Sequence, residues 1–108
     1  MTVTTINTDD SIMTLVNVFM VSPEHQQELV DVLVEATDAV MQGMPGFISA
    51  NIHRSPDGRH VVNYAQWQSR AHFEAMRENP AAGAHMKRAA DLAEFMPIVC
   101  DAVHVRHV

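Results

Sequence analysis

The 108-residue sequence predicts an α+β domain with a ferredoxin-like, split β-α-β arrangement. Three observations carry this. Stretches with period-two alternation are separated by stretches with a helical period. Their order, β-α-β-β-α-α-β, builds an antiparallel four-stranded sheet with helices on one face. Turn chemistry at Pro56-Asp57-Gly58 then makes the middle two strands a hairpin.

Residues 1–11 are polar and read as a flexible N-terminal arm, and 12–108 as a single domain. Residues 12–21 are rich in Val, Ile, Phe and Met and form the first strand. Leu15, Asn17, Phe19 and Val21 share one face; Val16, Val18 and Met20 share the other. Ser22-Pro23-Glu24 is a helix start, with a capping hydroxyl, a Pro suited to the first turn, and a carboxylate near the positive end of the dipole. Leu29, Leu33, Ala36 and Val40 then fall on one helical stripe, which Gly43 and Pro45 close.

Phe47 to Arg54 is the second strand and His60 to Trp67 the third. A three-residue loop with Gly58 in the left-handed region pairs Ser55 with Arg59. Asn51 then sits opposite Asn63 and Phe47 opposite Trp67, so Phe47, Asn51, His53, Asn63 and Trp67 gather on one face. A two-residue loop shifts the register by one and breaks that grouping. Ser69 caps a short helix running to Glu78, with Phe73 and Met76 inward, and Asn79-Pro80 interrupts it. Residues 81–95 read as a third helix presenting His85, Met86, Ala89 and Leu92. Pro97 stops it, and 98–105 form the last strand.

Composition narrows the function. A net charge of −6 argues against a nucleic-acid or anionic-membrane surface. No apolar run is long enough to span a bilayer, and the N-terminus lacks the basic and apolar regions of a signal peptide. Cys100 is a lone thiol, so a cytoplasmic location is expected. The seven His form no metal-binding spacing, and no Gly-rich phosphate loop or nucleophile motif occurs, so no metal, flavin or nucleotide is expected. Eight Met suit either core filling or a pliable apolar pocket for a flat ligand. Both sheet faces are apolar enough to need cover, which favours a homodimer packed sheet on sheet.

Asn17 and Asn63 are mid-strand amides, where Asn is disfavoured. They are either structural hydrogen-bonders or neutral donors in a binding site, and Trp67 is either core or a ring-stacking wall. The run Val61-Val62-Asn63-Tyr64-Ala65-Gln66-Trp67-Gln68-Ser69, with Pro45-Gly46-Phe47 and the Asp57-Gly58 turn before it, resembles the antibiotic biosynthesis monooxygenase family. It looks most like the small cofactor-free oxygenases that turn polyketide anthrones into quinones. The resemblance runs from about Met13 to the C-terminus.

The resemblance implies a dimeric α+β barrel with a cavity between sheet and helices, a small aromatic substrate, and O2 as co-substrate without a cofactor. It gives Asn17, Asn63 and Trp67 the task of positioning substrate and oxygen. A His on the second strand of some members maps to His53, which the three-residue hairpin places on the same face as Trp67 and makes the candidate base. Phe47, Asn51, Phe73, Met76 and Met86 are the candidate substrate-binding residues. The Tyr and Arg that some members carry on the later helices fall near Phe73 and near Lys87 or Arg88, so the Tyr is replaced. Haem degradation is an alternative: Asn17 and His85 match it, but the helix-borne Trp expected near Met76 is missing. Quinol oxidation and a non-enzymatic dimeric binding module are the others.

Overall fold

In the computed structural model, which describes residues 2–9 and 11–108, the elements follow the expected order. They are β1 (Met13–Val21), a 3-10 turn (Pro23–His25), α1 (Gln26–Ala39), β2 (Phe47–Arg54), β3 (His60–Trp67), α2 (Arg70–Arg77), α3 (Pro80–Leu92) and β4 (Ala93–Cys100). The strands form one antiparallel sheet in the order β2-β3-β1-β4, the ferredoxin-like arrangement.

Local chemistry sets the boundaries. Pro23 opens the 3-10 turn, although Ser22 makes no side-chain cap bond. Ser69 caps α2, its hydroxyl oxygen accepting from His72 N–H at 3.2 Å. Asn79 caps α3 by accepting from Ala81 N–H and Ala82 N–H, with Pro80 in the first turn. Gly46 has φ +81° and its Cα packs against the His72 ring, so an added Cβ would lie 2.2 Å from that ring.

The apolar stripe of each helix lands on one face of the sheet. Phe19, Val21 and Val61 pack with Leu29, Val32 and Leu33 of α1 and Ala89 of α3. A second cluster joins Met13, Leu15, Ala65 and Trp67 to Phe73, Met76 and Ala82. Phe19, Leu29, Val61 and Trp67 are the largest fully buried side chains. Each contributes on the order of 1.5–3 kcal/mol through removal of its apolar surface from water.

The hairpin departs from expectation by one residue. Ser55 pairs with His60, its N–H donating to the His60 carbonyl at 3.0 Å, so the loop is Pro56 to Arg59. Within it, Gly58 N–H donates to the Ser55 carbonyl and Gly58 has φ +80°, a type I turn inside a longer loop. The Asp57 carboxylate accepts from the Ser55 hydroxyl (2.6 Å) and Arg59 N–H (2.9 Å), which lowers its pKa below the usual carboxylate range, the hydroxyl contributing most. Gln26 Nε2 on α1 donates to the carbonyls of both Ser55 and His60 at 3.0 Å, tying the loop to the helix. Ala50 therefore faces Ala65 and Ile52 faces Asn63, and a β-bulge between Phe47 and Ser49 returns Phe47 to its place opposite Trp67.

The end of the chain also differs. α3 stops at Leu92 and β4 begins at once, running through Pro97 where a helix stop was expected. Because β4 is a sheet edge, alternate N–H groups point away from the ladder and a Pro is tolerated. Residues 101–108 carry no regular structure.

Candidate functional site

A cavity of about 470 Å3 lies between the sheet and the helices, within the usual size range of small-molecule sites. Its floor is the helix-facing side of the sheet: Leu15, Asn17 and Phe19 from β1, Asn63, Ala65 and Trp67 from β3, Phe47 and Ala50 from β2, and Phe95, Pro97 and Val99 from β4. α1 and the turn after it add Leu33, Ala36, Thr37 and Met41. α2 adds Arg70, Phe73, Met76 and Arg77, and α3 adds Ala82, Gly83 and Met86. The odd-numbered alternation of β1 and β3 delivers the floor residues, as the sequence suggested.

Asn17 and Asn63 are directly opposed partners on neighbouring strands. The Oδ1 atom of each is buried and has no hydrogen-bond partner among the described residues. Leaving a buried polar group unpaired costs about 1–3 kcal/mol. Two such groups side by side in an apolar cavity mark a place where something else completes the bonding. A half-turn of either amide presents its NH2 instead of its oxygen, so each can accept or donate.

Trp67 closes the floor at the end of β3 and is 1% exposed. The Phe47 ring meets it edge-on, with centroids 5.4 Å apart and planes at 78°. Phe73 stands 6.5 Å away on the α2 side. Flat aromatic walls, Met76 and Met86 surround the amide pair, the polar spot of the sheet floor, while Thr37, Arg70 and Arg77 add polar groups from the helices.

The sheet thus brings together Asn17, Phe47, Asn63 and Trp67, and the helices add Phe73, Met76 and Met86. His53 and Asn51 do not join them. The one-residue difference in hairpin register turns both to the opposite sheet face. His53 is exposed there, its Nδ1 3.1 Å from the Asn51 carbonyl oxygen. Asn51 is bound into that face: Nδ2 donates to the Tyr64 carbonyl (2.8 Å) and the Ser49 hydroxyl (3.1 Å), and Oδ1 accepts from Thr4.

Neither Lys87 nor Arg88 lines the cavity. Arg88 pairs with Glu35 of α1 at 3.3 Å. His85 also turns to α1, with Nδ1 2.9 Å from the Ala81 carbonyl and Nε2 3.4 Å from Glu35. Arg88, then His85, hold the Glu35 carboxyl below its ordinary pKa. The cations at the cavity are instead Arg70 and Arg77, which reading the sequence missed. The signal was available: with Phe73 they occupy i, i+3 and i+7 of α2, so they share the inward stripe. Among the described residues, no three His, Cys, Asp or Glu side chains converge as a metal-ligand set, and no helix is long and apolar enough to cross a membrane.

The sequence assigns this ferredoxin-like sheet and its cavity to a family of monooxygenases. Residues 12–88 match the antibiotic biosynthesis monooxygenase family, and the chain belongs to that family. Among its relatives is the tetracenomycin-F1 monooxygenase of Streptomyces glaucescens, 46% identical over 100 residues, covering 93% of this chain and 89% of that one. The solved structure of SnoaB, a cofactor-independent oxygenase from Streptomyces nogalater, superposes with a TM-score of 0.79 at 23% identity, covering 88% of this chain and 96% of that one. Rv0793 from Mycobacterium tuberculosis superposes with a TM-score of 0.76 at 18% identity, covering 90% of this chain and 100% of that one. At these identities the two structures speak to the fold.

Proposed function

We propose that this monooxygenase oxidises an anthrone-type aromatic polyketide to a quinone with O2 and no bound cofactor, within antibiotic biosynthesis. The observation that carries the reading is the opposed pair of amides, each with an unpartnered buried oxygen, in an aromatic-walled cavity. The relative that acts on tetracenomycin F1 supports a polyketide substrate.

An anthrone carries a CH2 group acidified by a conjugated ketone. Loss of one proton gives a delocalised carbanion rich enough in electrons to reduce O2 itself. Carbon–oxygen bond formation gives a peroxide. Loss of the second ring proton with cleavage of the O–O bond then leaves a C=O, and the other oxygen departs as water. The substrate supplies all the electrons, so the protein has only to bind the ring, stabilise the anion and limit bulk water.

Asn17 and Asn63 are suited to donate to the enolate or peroxide oxygens, and Trp67 to pack against the ring and offer its indole N–H. Among the described residues, the cavity lining contains no carboxylate, imidazole, thiol, phenol or amine. With His53 on the far face, the proton passes to water at the mouth, and the site acts by favouring the anion rather than by taking the proton. Removal of one preorganised donor of this kind typically slows turnover by about 10²–10³-fold.

The same reading makes the active form a cytoplasmic homodimer. Met20, Met96 and Ile98, on the sheet face away from the helices, are 50%, 56% and 40% exposed, and a second sheet would cover them. A monomer at micromolar concentration in sedimentation would rule out the dimeric barrel.

The test is oxygen uptake by metal-stripped protein given a simple anthrone, with quinone followed by absorbance. Anthrones oxidise spontaneously, so the rate is compared with buffer and with an Asn63→Ala/Trp67→Phe variant. An excess rate for the native protein that disappears in the variant is expected. Equal rates in all three would sink the reading.

A further inference from the structure

The titratable groups that line the cavity are Arg70 and Arg77, both on α2 and both more than half exposed, which puts them at the mouth. Glu74 lies between them, 3.6 Å from Arg70 Nε and 3.3 Å from an Nη of Arg77. One carboxylate thus serves two guanidinium groups, and a positive charge is left over. Each guanidinium has five N–H donors, so most of them are unused by Glu74. The Arg77 guanidinium also sits over the Phe73 ring at 5.7 Å, and Phe73 is itself a cavity wall. The mouth therefore holds donors and surplus positive charge against an apolar slot, in a chain whose net charge is −6.

We infer that the ligand of this cavity is a flat aromatic carrying an anionic oxygen at the end that projects towards α2, and that Arg70 and Arg77 bind that oxygen. The inference rests on reading the cavity as the substrate site. The apolar rings occupy the slot over Trp67, the reacting oxygen meets the amide pair, and the anionic end meets the guanidinium groups. Such a substrate is oriented from both ends, so the ring carbon to be oxidised is chosen by distance from the anionic substituent. A neutral polycycle would lack that second anchor and be free to enter either way round.

Binding can be measured apart from turnover. Titration calorimetry at low salt compares anthraquinone-2-carboxylate with anthraquinone-2-carboxamide, a neutral ligand of the same shape. The carboxylate is expected to bind about tenfold more tightly, as charge-assisted contacts at a partly exposed site allow. That preference is lost in Arg70→Gln/Arg77→Gln and largely kept in Arg70→Lys/Arg77→Lys, while an unchanged circular dichroism spectrum and thermal unfolding midpoint in all three proteins report that the fold is intact. A second pair, ionised 2-hydroxyanthraquinone and its methyl ether, separates the two sources of the anion. A preference confined to this pair assigns it to a ring oxygen, and one in the first pair to a carboxylate substituent.

Equal binding within both pairs, or a preference that survives the double Gln variant, would overturn the proposal. A charge preference without oxygen uptake from any anthrone would instead leave the anion site standing and remove the oxygenase reading.

Discussion

The two faces of the sheet use the same residue type to opposite ends. On the outer face Asn51 is fully engaged with Ser49, Tyr64 and Thr4. Gln66 beside it, 2% exposed, accepts from the Ser49 hydroxyl and donates to the Thr5 carbonyl. On the inner face Asn17 and Asn63 leave their oxygens without partners among the described residues. An amide whose bonds are made within the chain fixes structure, whereas one whose bonds are unmade in a cavity is available to a ligand. Burial alone does not separate the cases, since Gln66 and Asn17 are both buried.

The sharpest test of this contrast exchanges the roles. Asn17→Ala or Asn63→Ala should slow quinone formation by about 10²–10³-fold and leave thermal stability unchanged or slightly raised. Asn51→Ala should do the reverse, costing about 1–2 kcal/mol in denaturant unfolding while turnover persists. If Asn51→Ala slows turnover as much as Asn63→Ala does, the contrast between faces is wrong. Next in size, Trp67→Phe should keep the fold and slow turnover by about tenfold, since a hydrogen-bond donor is lost and the aromatic wall remains. Equal turnover would remove the indole N–H from the mechanism.

His53→Ala should change neither stability nor rate by more than about twofold, as for other exposed surface positions. A large loss of rate would mean that the outer face takes part in the chemistry. The smallest effect belongs to Glu35, whose folded pKa is lowered by Arg88 and His85. Its contribution is present above the unfolded pKa and is lost as pH falls through the lowered folded value. Glu35 is exposed, so Glu35→Gln should lower the Tm only slightly at pH 7, and the gap should close in strong acid. A gap that persists in acid would assign the effect to packing between α1 and α3.

What could be read from the sequence was what each segment decides for itself. The faces of β1 and β3 follow from their own alternation, so Asn17, Asn63 and Trp67 were placed together correctly. The helix cap at Ser69 was equally local. The pairing of β2 with β3 was not, because Pro-Asp-Gly is compatible with several loop lengths. In the structure the four-residue loop is tied to Gln26 of α1, far off in sequence, through the carbonyls of Ser55 and His60. The loop length is what turned His53 to the other face. β4 was set too late because Pro97 reads as a breaker until its strand is known to be an edge. Arg70 and Arg77 were missed because exposed charge on a helix is ordinarily solvated, and only the cavity gives these two a task.

The bulge at Ile48 behaves like a suppressor of a frameshift. The four-residue loop puts Ser49 to Arg54 in one reading frame against β3, and the bulge restores the other frame at Phe47. Sequence length is therefore not equally constrained along this hairpin. Removing Ile48 leaves Phe47 inward, Ser49 outward and Ala50 inward, so every side chain keeps its side. Removing one residue between Ser49 and Arg54 inverts everything on one side of the cut. Homologous chains that differ in length here can share a site only if the gap falls at the bulge or is matched by a second one in the loop. An alignment that places it elsewhere would assign the cavity's residues to the wrong face.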